Sequence, residues 1–251
     1  MTYAHDPSTA EPAPADESGS RRGFGCLLEI VETLVLTLVI YLLIHNFIAQ
    51  PFEVDQESMM PTINPHEYVL IDKLSPRFDD YHRGDIVVFQ PPEGFGVNGG
   101  IPFIKRIIGL PGDTVSLENG SVFIIPPGGS AVGIREPYVR RDLDGGPVPT
   151  QPRDAEQTRE WTVPPGTFFV MGDNRTASQD SRAFGPIDRD LIVGRAWLRY
   201  FPLDRIGFTD RPTYDGLPDQ APDGEAALPL ALARYGRGGS SATIQVSIAR
   251  S

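Results

Sequence analysis

The sequence predicts a mainly β protein: an antiparallel β domain preceded by one N-terminal transmembrane helix. Three observations carry this. From residue 51 onward, short runs rich in β-branched and aromatic residues recur, punctuated by turn formers in a chain with 26 Gly and 25 Pro. Asn119-Gly120 lies between two such runs, a strong hairpin signal. The long apolar stretch sits near the start, from about Ile30 to Ala49, and no long amphipathic helical pattern follows it.

Residues 1–25 are rich in Pro, Ala, Ser and acid and read as a disordered cytoplasmic tail. Residues 26–49, CLLEIVETLVLTLVIYLLIHNFIA, read as the membrane helix, because a bilayer core needs about 20 apolar residues in a row. From Thr33 to Ile44 no charged side chain interrupts the run, which a soluble core helix seldom sustains. Glu29 and Glu32, three apart, share one face near its start. Arg21 and Arg22 precede the segment, and Glu53, Asp55 and Glu57 follow it. The positive-inside rule then puts the N-terminus in the cytoplasm and everything after Ala49 outside, as a single-pass protein of the cell membrane. The stretch SRRGFGC also resembles a twin-arginine export signal, but the run behind it is too long and apolar, and no small-x-small cleavage site is clear.

The β runs come next: EYVLID, DIVVFQ, PFIKRIIG, DTVSLENGSVFII, TFFVMGD and LIVGRAWLRYF. Pro91 to Gly100 reads as a flexible loop, and residues from about 127 to 160 as an irregular surface insertion. The folded domain is placed at 50–208, as a sandwich or a pair of packed sheets. Residues 209–251, rich in Pro, Gly and Asp and then low in complexity, read as a disordered tail.

Composition excludes several functions. A net charge of −11 with no basic face argues against nucleic acid as a partner. One cysteine, Cys26, forbids an intramolecular disulfide, and four scattered histidines without HExxH or CxxC spacing give no metal site. No cofactor is expected. Nothing in the sequence sets the oligomeric state.

Of the 22 basic residues only Lys73 and Lys105 are lysine. On a strand, Phe103, Lys105 and Ile107 share one face, and Ile104, Arg106 and Ile108 the other. Desolvation between Phe103 and Ile107 lowers a lysine pKa, and a neighbouring positive charge lowers it further. A neutral lysine is a usable general base, whereas arginine cannot release its proton in a protein. The other reading, a strand lysine that snorkels to the surface, is equally open on this stretch alone. A base needs a nucleophile, and QESMMPTIN offers Ser58 in a turn with an apolar setting. GxSxG and SxxK are absent around it. Ser58 lies about nine residues beyond the span, at most about 30 Å along the chain, which suits a substrate held in the bilayer. A third cluster, MGDNRTASQDSRAFG, offers Asp173, Arg175, Asp180 and Arg182 for ion pairs among themselves or with Arg106, and Ser178 and Ser181 to orient a lysine.

Taken in order, SMMPTI (58–63), RGDIVVF (83–89), IKRIIGLPGD (104–113) and GDNRTASQDSR (172–182) resemble the sequence blocks of the bacterial type I signal peptidases. With the anchor, the resemblance covers roughly residues 28–208. It implies a mainly antiparallel β fold in which a second, smaller β region interrupts the catalytic domain, here between about 113 and 168. It also implies a membrane-anchored serine endopeptidase that removes signal peptides from exported preproteins after an Ala-x-Ala motif, through a Ser-Lys dyad and an acyl-enzyme. Ser58 matches the nucleophile, Lys105 the general base and Ser178 the serine that hydrogen-bonds the lysine. Asp180 with Arg182, and Asp173 with Arg106, match charged pairs that shape the site. One departure stands out. Some members place serine or a small residue two positions before the nucleophile, where the serine helps form the oxyanion hole, and this chain has Gln56. The Ser58 backbone N–H is one oxyanion donor, and whether the Gln56 amide supplies the second is left open by the sequence. Two rivals remain: a self-cleaving repressor-type Ser-Lys protease and a non-enzymatic membrane-anchored scaffold.

Overall fold

The computed structural model describes residues 18–43, 49–96, 100–154 and 156–221. The chain divides into two compact units, residues 1–46 and residues 47–251.

The described part of the first unit is one helix, α1 (Ser18–Leu43). Its large apolar side chains from Leu28 to Leu42 are exposed. Thr33 and Thr37 donate their hydroxyls to the carbonyls of Glu29 and Thr33, four residues back, so the helix itself satisfies these polar groups. Among the described residues no helix is long and apolar enough to cross a membrane. The expected span of 26–49 includes residues 44–48, which lie outside the described residues, and Ala49 opens a strand instead. The helix starts at Ser18, so the disordered tail expected over 1–25 does not hold for residues 18–25; residues 1–17 lie outside the described residues.

The second unit is mainly antiparallel β. Its strands are β1 (Ala49–Val54), β2 (Glu67–Asp72), β3 (Ile86–Phe89), β4 (Phe103–Gly109), β5 (Thr114–Glu118), β6 (Ser121–Ile125), β7 (Val132–Gly133), β8 (Glu160–Thr162) and β9 (Thr167–Met171). After a short helix, α2 (Ser181–Phe184), come β10 (Ile187–Asp188), β11 (Ile192–Phe201) and β12 (Gly207–Phe208). One sheet runs β1-β2-β11-β3-β4-β9-β10, with β12 also on β11. A smaller sheet, β7-β6-β5-β8, is formed by residues 114–162, inside the interval expected for an insert.

The turn between β5 and β6 is the Asn119-Gly120 hairpin, with φ of 49° and 80° at its two residues. Both values lie in the left-handed region that a two-residue hairpin of this twist requires and that Asn and Gly tolerate.

Strand β4 is buried along all seven residues because apolar layers cover both faces. Ile104 packs with Met59, Ile63, Ile86 and Val88. Phe103 and Ile107 pack with Val87, Phe89, Phe168 and Val170. Ile108 joins Val115, Leu117, Val122 and Ile124, which fixes the smaller sheet against the β4–β9 end of the larger one. A strand that is wet on neither side is where a basic residue loses most of its hydration.

Two boundaries need correcting. Residues 209–221 are not a disordered tail. The Asp210, Pro218 and Asp219 carbonyls accept hydrogen bonds from Arg106 Nη1, Arg83 Nε and Arg83 N, and Tyr214 is buried. The rest of that expected tail, 222–251, lies outside the described residues. The stretch 127–160 is not only surface, because Val139 and Thr150 are buried and the Tyr138 ring lies 4.1 Å from the Arg106 guanidinium carbon.

Candidate active site

Ser58 sits in a single 3₁₀ turn, Glu57–Met59, entered from extended Gln56 and left through Met60-Pro61. The fully buried Met59 anchors the turn in the apolar layer under β4. The final block holds it from the other side. Asn174 N donates to Ser58 O at 2.9 Å, and Asn174 Nδ2 donates to Glu57 O at 3.2 Å.

Lys105 stands in β4 opposite Val87 and is 0% exposed; Ser58 is 3% exposed. Lys105 Nζ lies 2.7 Å from Ser58 Oγ and donates to Ile104 O at 2.8 Å. The Phe103 ring, 5.1 Å away, forms an apolar wall. Burial lowers the Lys105 amine from its ordinary 10.5 to about 8, against an opposing pull from the Asp180 and Asp173 charges. The expected assistance from Arg106 is absent from this balance. Arg106 points to the opposite face, where Asp173 neutralises it through two hydrogen bonds of 2.9 and 2.7 Å.

Lys105 differs from the four buried arginines among the described residues. Arg83 pairs with Asp113 at 2.6 Å, Arg106 with Asp173 at 2.7 Å, Arg182 with Asp180 at 2.8 Å, and Arg175 with Glu136. Among the described residues Lys105 makes no ion pair, so nothing at contact distance offsets its desolvation as a cation.

The block at 172–182 closes the edge of β9. Asp180 Oδ2 accepts from Gly172 N at 3.0 Å, and Ser181 Oγ accepts from Val170 N at 2.9 Å. Burial alone would raise the Asp180 carboxyl, but the Arg182 guanidinium, the Gly172 N–H and Ser178 outweigh it and hold it low. Gly172 carries no side chain for a local reason: a Cβ there would run into the Ser58 carbonyl oxygen and the Ser178 hydroxyl.

Ser178 lies beside this contact, yet its Oγ has no full hydrogen-bond partner among the described residues. The bond expected from Ser178 to Lys105 is therefore not formed; the acceptors at Lys105 Nζ are Ser58 Oγ and Ile104 O. The Gln56 side chain is half-buried and makes no capping hydrogen bond. The geometry thus brings together Ser58, Lys105, Asp173, Arg106, Asp180 and Arg182, with Ser178 adjacent.

Several residues here carried no sequence role. Asn174 lies within the fourth sequence block, GDNRTASQDSR, and its role shows only in its contacts with the Ser58 and Glu57 carbonyls. Glu136, the partner of Arg175, lies in the stretch read as irregular. Asp113 closes the third block and Arg83 opens the second, and their shared block membership was the available signal for that pair.

A family model described as signal peptidase, peptidase S26, matches residues 27–201. A signal peptidase I of Leptolyngbya laminosa is 34% identical over 211 residues, which cover 82% of this chain and 96% of that protein. The signal peptidase IB of Staphylococcus aureus strain MRSA252 is 30% identical over 193 residues, covering 74% and 95%. A crystal structure of a signal peptidase I from Enterococcus faecalis V583 aligns at 30% identity and a TM-score of 0.32, over 45% of this chain and 93% of that one. With most of its length matched by one family model, and a relative of this identity spanned almost end to end, the chain belongs to the signal peptidase family, peptidase S26, as a type I signal peptidase and serine endopeptidase.

Proposed function

We propose that the protein removes N-terminal signal peptides from exported preproteins after a small-x-small, Ala-x-Ala motif, with Ser58 as nucleophile and Lys105 as general base. The observation that carries this is the 2.7 Å approach of Ser58 Oγ to a fully buried lysine amine that has no carboxylate partner among the described residues.

The neutral amine donates to Ile104 O and turns its lone pair to the Ser58 hydroxyl. It takes the hydroxyl proton as Ser58 attacks the scissile carbonyl. The Ser58 backbone N–H is one donor to the oxyanion, and a swung-in Gln56 amide is the candidate for the second. The lysine then protonates the leaving amine, and water activated by the same amine releases the acyl-enzyme. Dehydration is the largest influence on the lysine's proton affinity, opposed by the Asp180 and Asp173 charges, each of which also pairs with an arginine.

An extended substrate suits the sheet. Residues 103–106 of β4 pair with β3, whereas β9 reaches β4 only from Arg106 onward, so β4 presents an unpaired edge beside Lys105. The signal peptide reaches this edge from the bilayer, to which the apolar N-terminal segment ahead of β1 anchors the chain, with its N-terminus in the cytoplasm. The many exposed large apolar side chains of α1 between Leu28 and Leu42, with no charged residue after Glu32, support that anchor.

The test uses the detergent-solubilised full chain and a preprotein with an Ala-x-Ala site. The shortened product should form with the wild type, and neither Ser58→Ala nor a preprotein with both alanines made bulky should yield it. Product from the Ser58→Ala protein would end the proposal.

A further inference from the structure

Buried Arg175 does more than fill a charged layer. Its Nε donates to Gly172 O at 3.1 Å, and its Nη1 donates to Thr150 Oγ1 at 2.7 Å. Its charge is met by Glu136, which accepts from Nη1 at 3.0 Å and also from Nη2. Tyr138, from the same stretch, donates its hydroxyl to Glu136 Oε1 at 3.0 Å. Arg182 Nη2 donates to Arg175 O at 3.0 Å, so the turn 172–175 is gripped at both ends.

That turn positions the nucleophile. Asn174 bonds the carbonyls of Ser58 and Glu57, and Gly172 sits against Ser58 O with no room for a methyl group. Glu136 lies in the insert, outside all four sequence blocks, and it is the carboxylate that Arg175 pairs with among the described residues. Without it, a remaining charge of the right sign that acts on Arg175 is Asp173, which is held by Arg106.

We infer that Glu136 is a positioning residue for Ser58: through Arg175 it locks the 172–175 turn at the height that sets the Ser58 Oγ to Lys105 Nζ approach. Losing Glu136 draws Arg175 toward Asp173 and off Gly172 O, and Ser58 moves with the turn. The smaller sheet thereby becomes part of the catalytic apparatus and not only a support.

The inference rests on the serine–lysine reading above, and its test separates the two. Preprotein cleavage is followed with the full chain for Glu136→Gln, Glu136→Asp and Ser58→Ala, each melted first so that rates are taken well below its Tm. A displaced nucleophile predicts a kcat loss of about tenfold or more for Glu136→Gln, with KM within about twofold. Glu136→Asp, which keeps the charge one methylene short, recovers part of that loss. Should Glu136→Gln fail to fold, Glu136→Asp alone decides, with an expected kcat loss of about threefold or more at near-constant KM. Wild-type kcat in folded variants that merely melt earlier would overturn the positioning role. An active Ser58→Ala protein would instead overturn the dyad.

Discussion

With Lys105 as the proposed general base, the acid limb of the pH–rate profile should read its environment. Burial brings its amine to about 8, so roughly a tenth of the enzyme holds a neutral lysine at pH 7, about 1% at pH 6 and about 90% at pH 9. The rate constant kcat/KM should therefore rise close to tenfold between pH 6 and pH 7 and level off above pH 9. Lys105→Arg keeps the charge and the hydrogen-bond donors but cannot release a proton, so it should be inactive at every pH. The same shift appears in stability. Between about pH 8 and 10.5 the unfolded chain keeps a proton on Lys105 that the folded chain has released, so stability rises with pH through that window. The gain is at most about 3 kcal/mol, from the drop of 10.5 to about 8 at 1.36 kcal/mol per pH unit. Lys105→Met lacks it. Its Tm advantage over the wild type at pH 7, roughly 6–12 °C for a domain of this size, should shrink by pH 10.5. Thermal melts and initial rates on the detergent-solubilised chain measure both. A flat rate profile from pH 6 to 9, or product from Lys105→Arg, would refute the buried-base argument.

Three further outcomes follow from the contacts around this centre. Gly172→Ala forces a Cβ against the Ser58 carbonyl, which is backbone and gives way only if the turn moves, so kcat should fall by about two orders of magnitude in a protein that still melts cooperatively. Asp173→Asn leaves Arg106 buried without its carboxylate and should cost about 3–5 kcal/mol in a denaturant titration. Because the Asp173 charge also supports the protonated lysine, surviving enzyme should show its acid limb at lower pH. Ending the chain at residue 208 strips Arg83 and Arg106 of the Asp210 and Pro218 carbonyls and should lower Tm by several degrees relative to a chain ending at 221.

What the sequence disclosed tracks what has a side-chain signature. The six runs read as strands all contain strands, and the Asn-Gly hairpin falls where its backbone angles require, because β-branched alternation and left-handed turns are written in residue type. Strands β7, β8, β10 and β12 escaped notice: two or three residues are too few to show a period. Strand β1, AQPFEV, was masked by the apolar run before it and by its proline. The segment 209–221 has the composition of a disordered tail but is fastened by backbone carbonyls docking on buried arginines, and a carbonyl acceptor leaves no trace in residue type. Glu136 was hidden for a related reason. Its partner lies 39 positions away, and one acid in a polar stretch looks the same whether it is solvated or paired.

The preference for arginine in this chain has a physical logic that the structure makes explicit. Arg83, Arg106, Arg175 and Arg182 are all fully buried, and each aims a planar fork at a carboxylate and at backbone carbonyls. A lysine in those places would satisfy fewer acceptors and, once dehydrated, would be free to give up its proton and leave a carboxylate stranded. At position 105 the requirement is reversed. The carbonyl of Ile104 and the Ser58 hydroxyl are the hydrogen-bond partners there, and a permanent charge facing only those two would carry an unrelieved desolvation cost. The buried arginines are thus permanent cations, whereas Lys105 is the buried residue that the proposed mechanism requires to shed its charge. Because their carboxylates neutralise them, they shape the site without themselves moving the lysine pKa. That separation between charges that build and a charge that reacts is why, under the proposed mechanism, arginine cannot stand in for Lys105 even though the two occupy adjacent positions in β4.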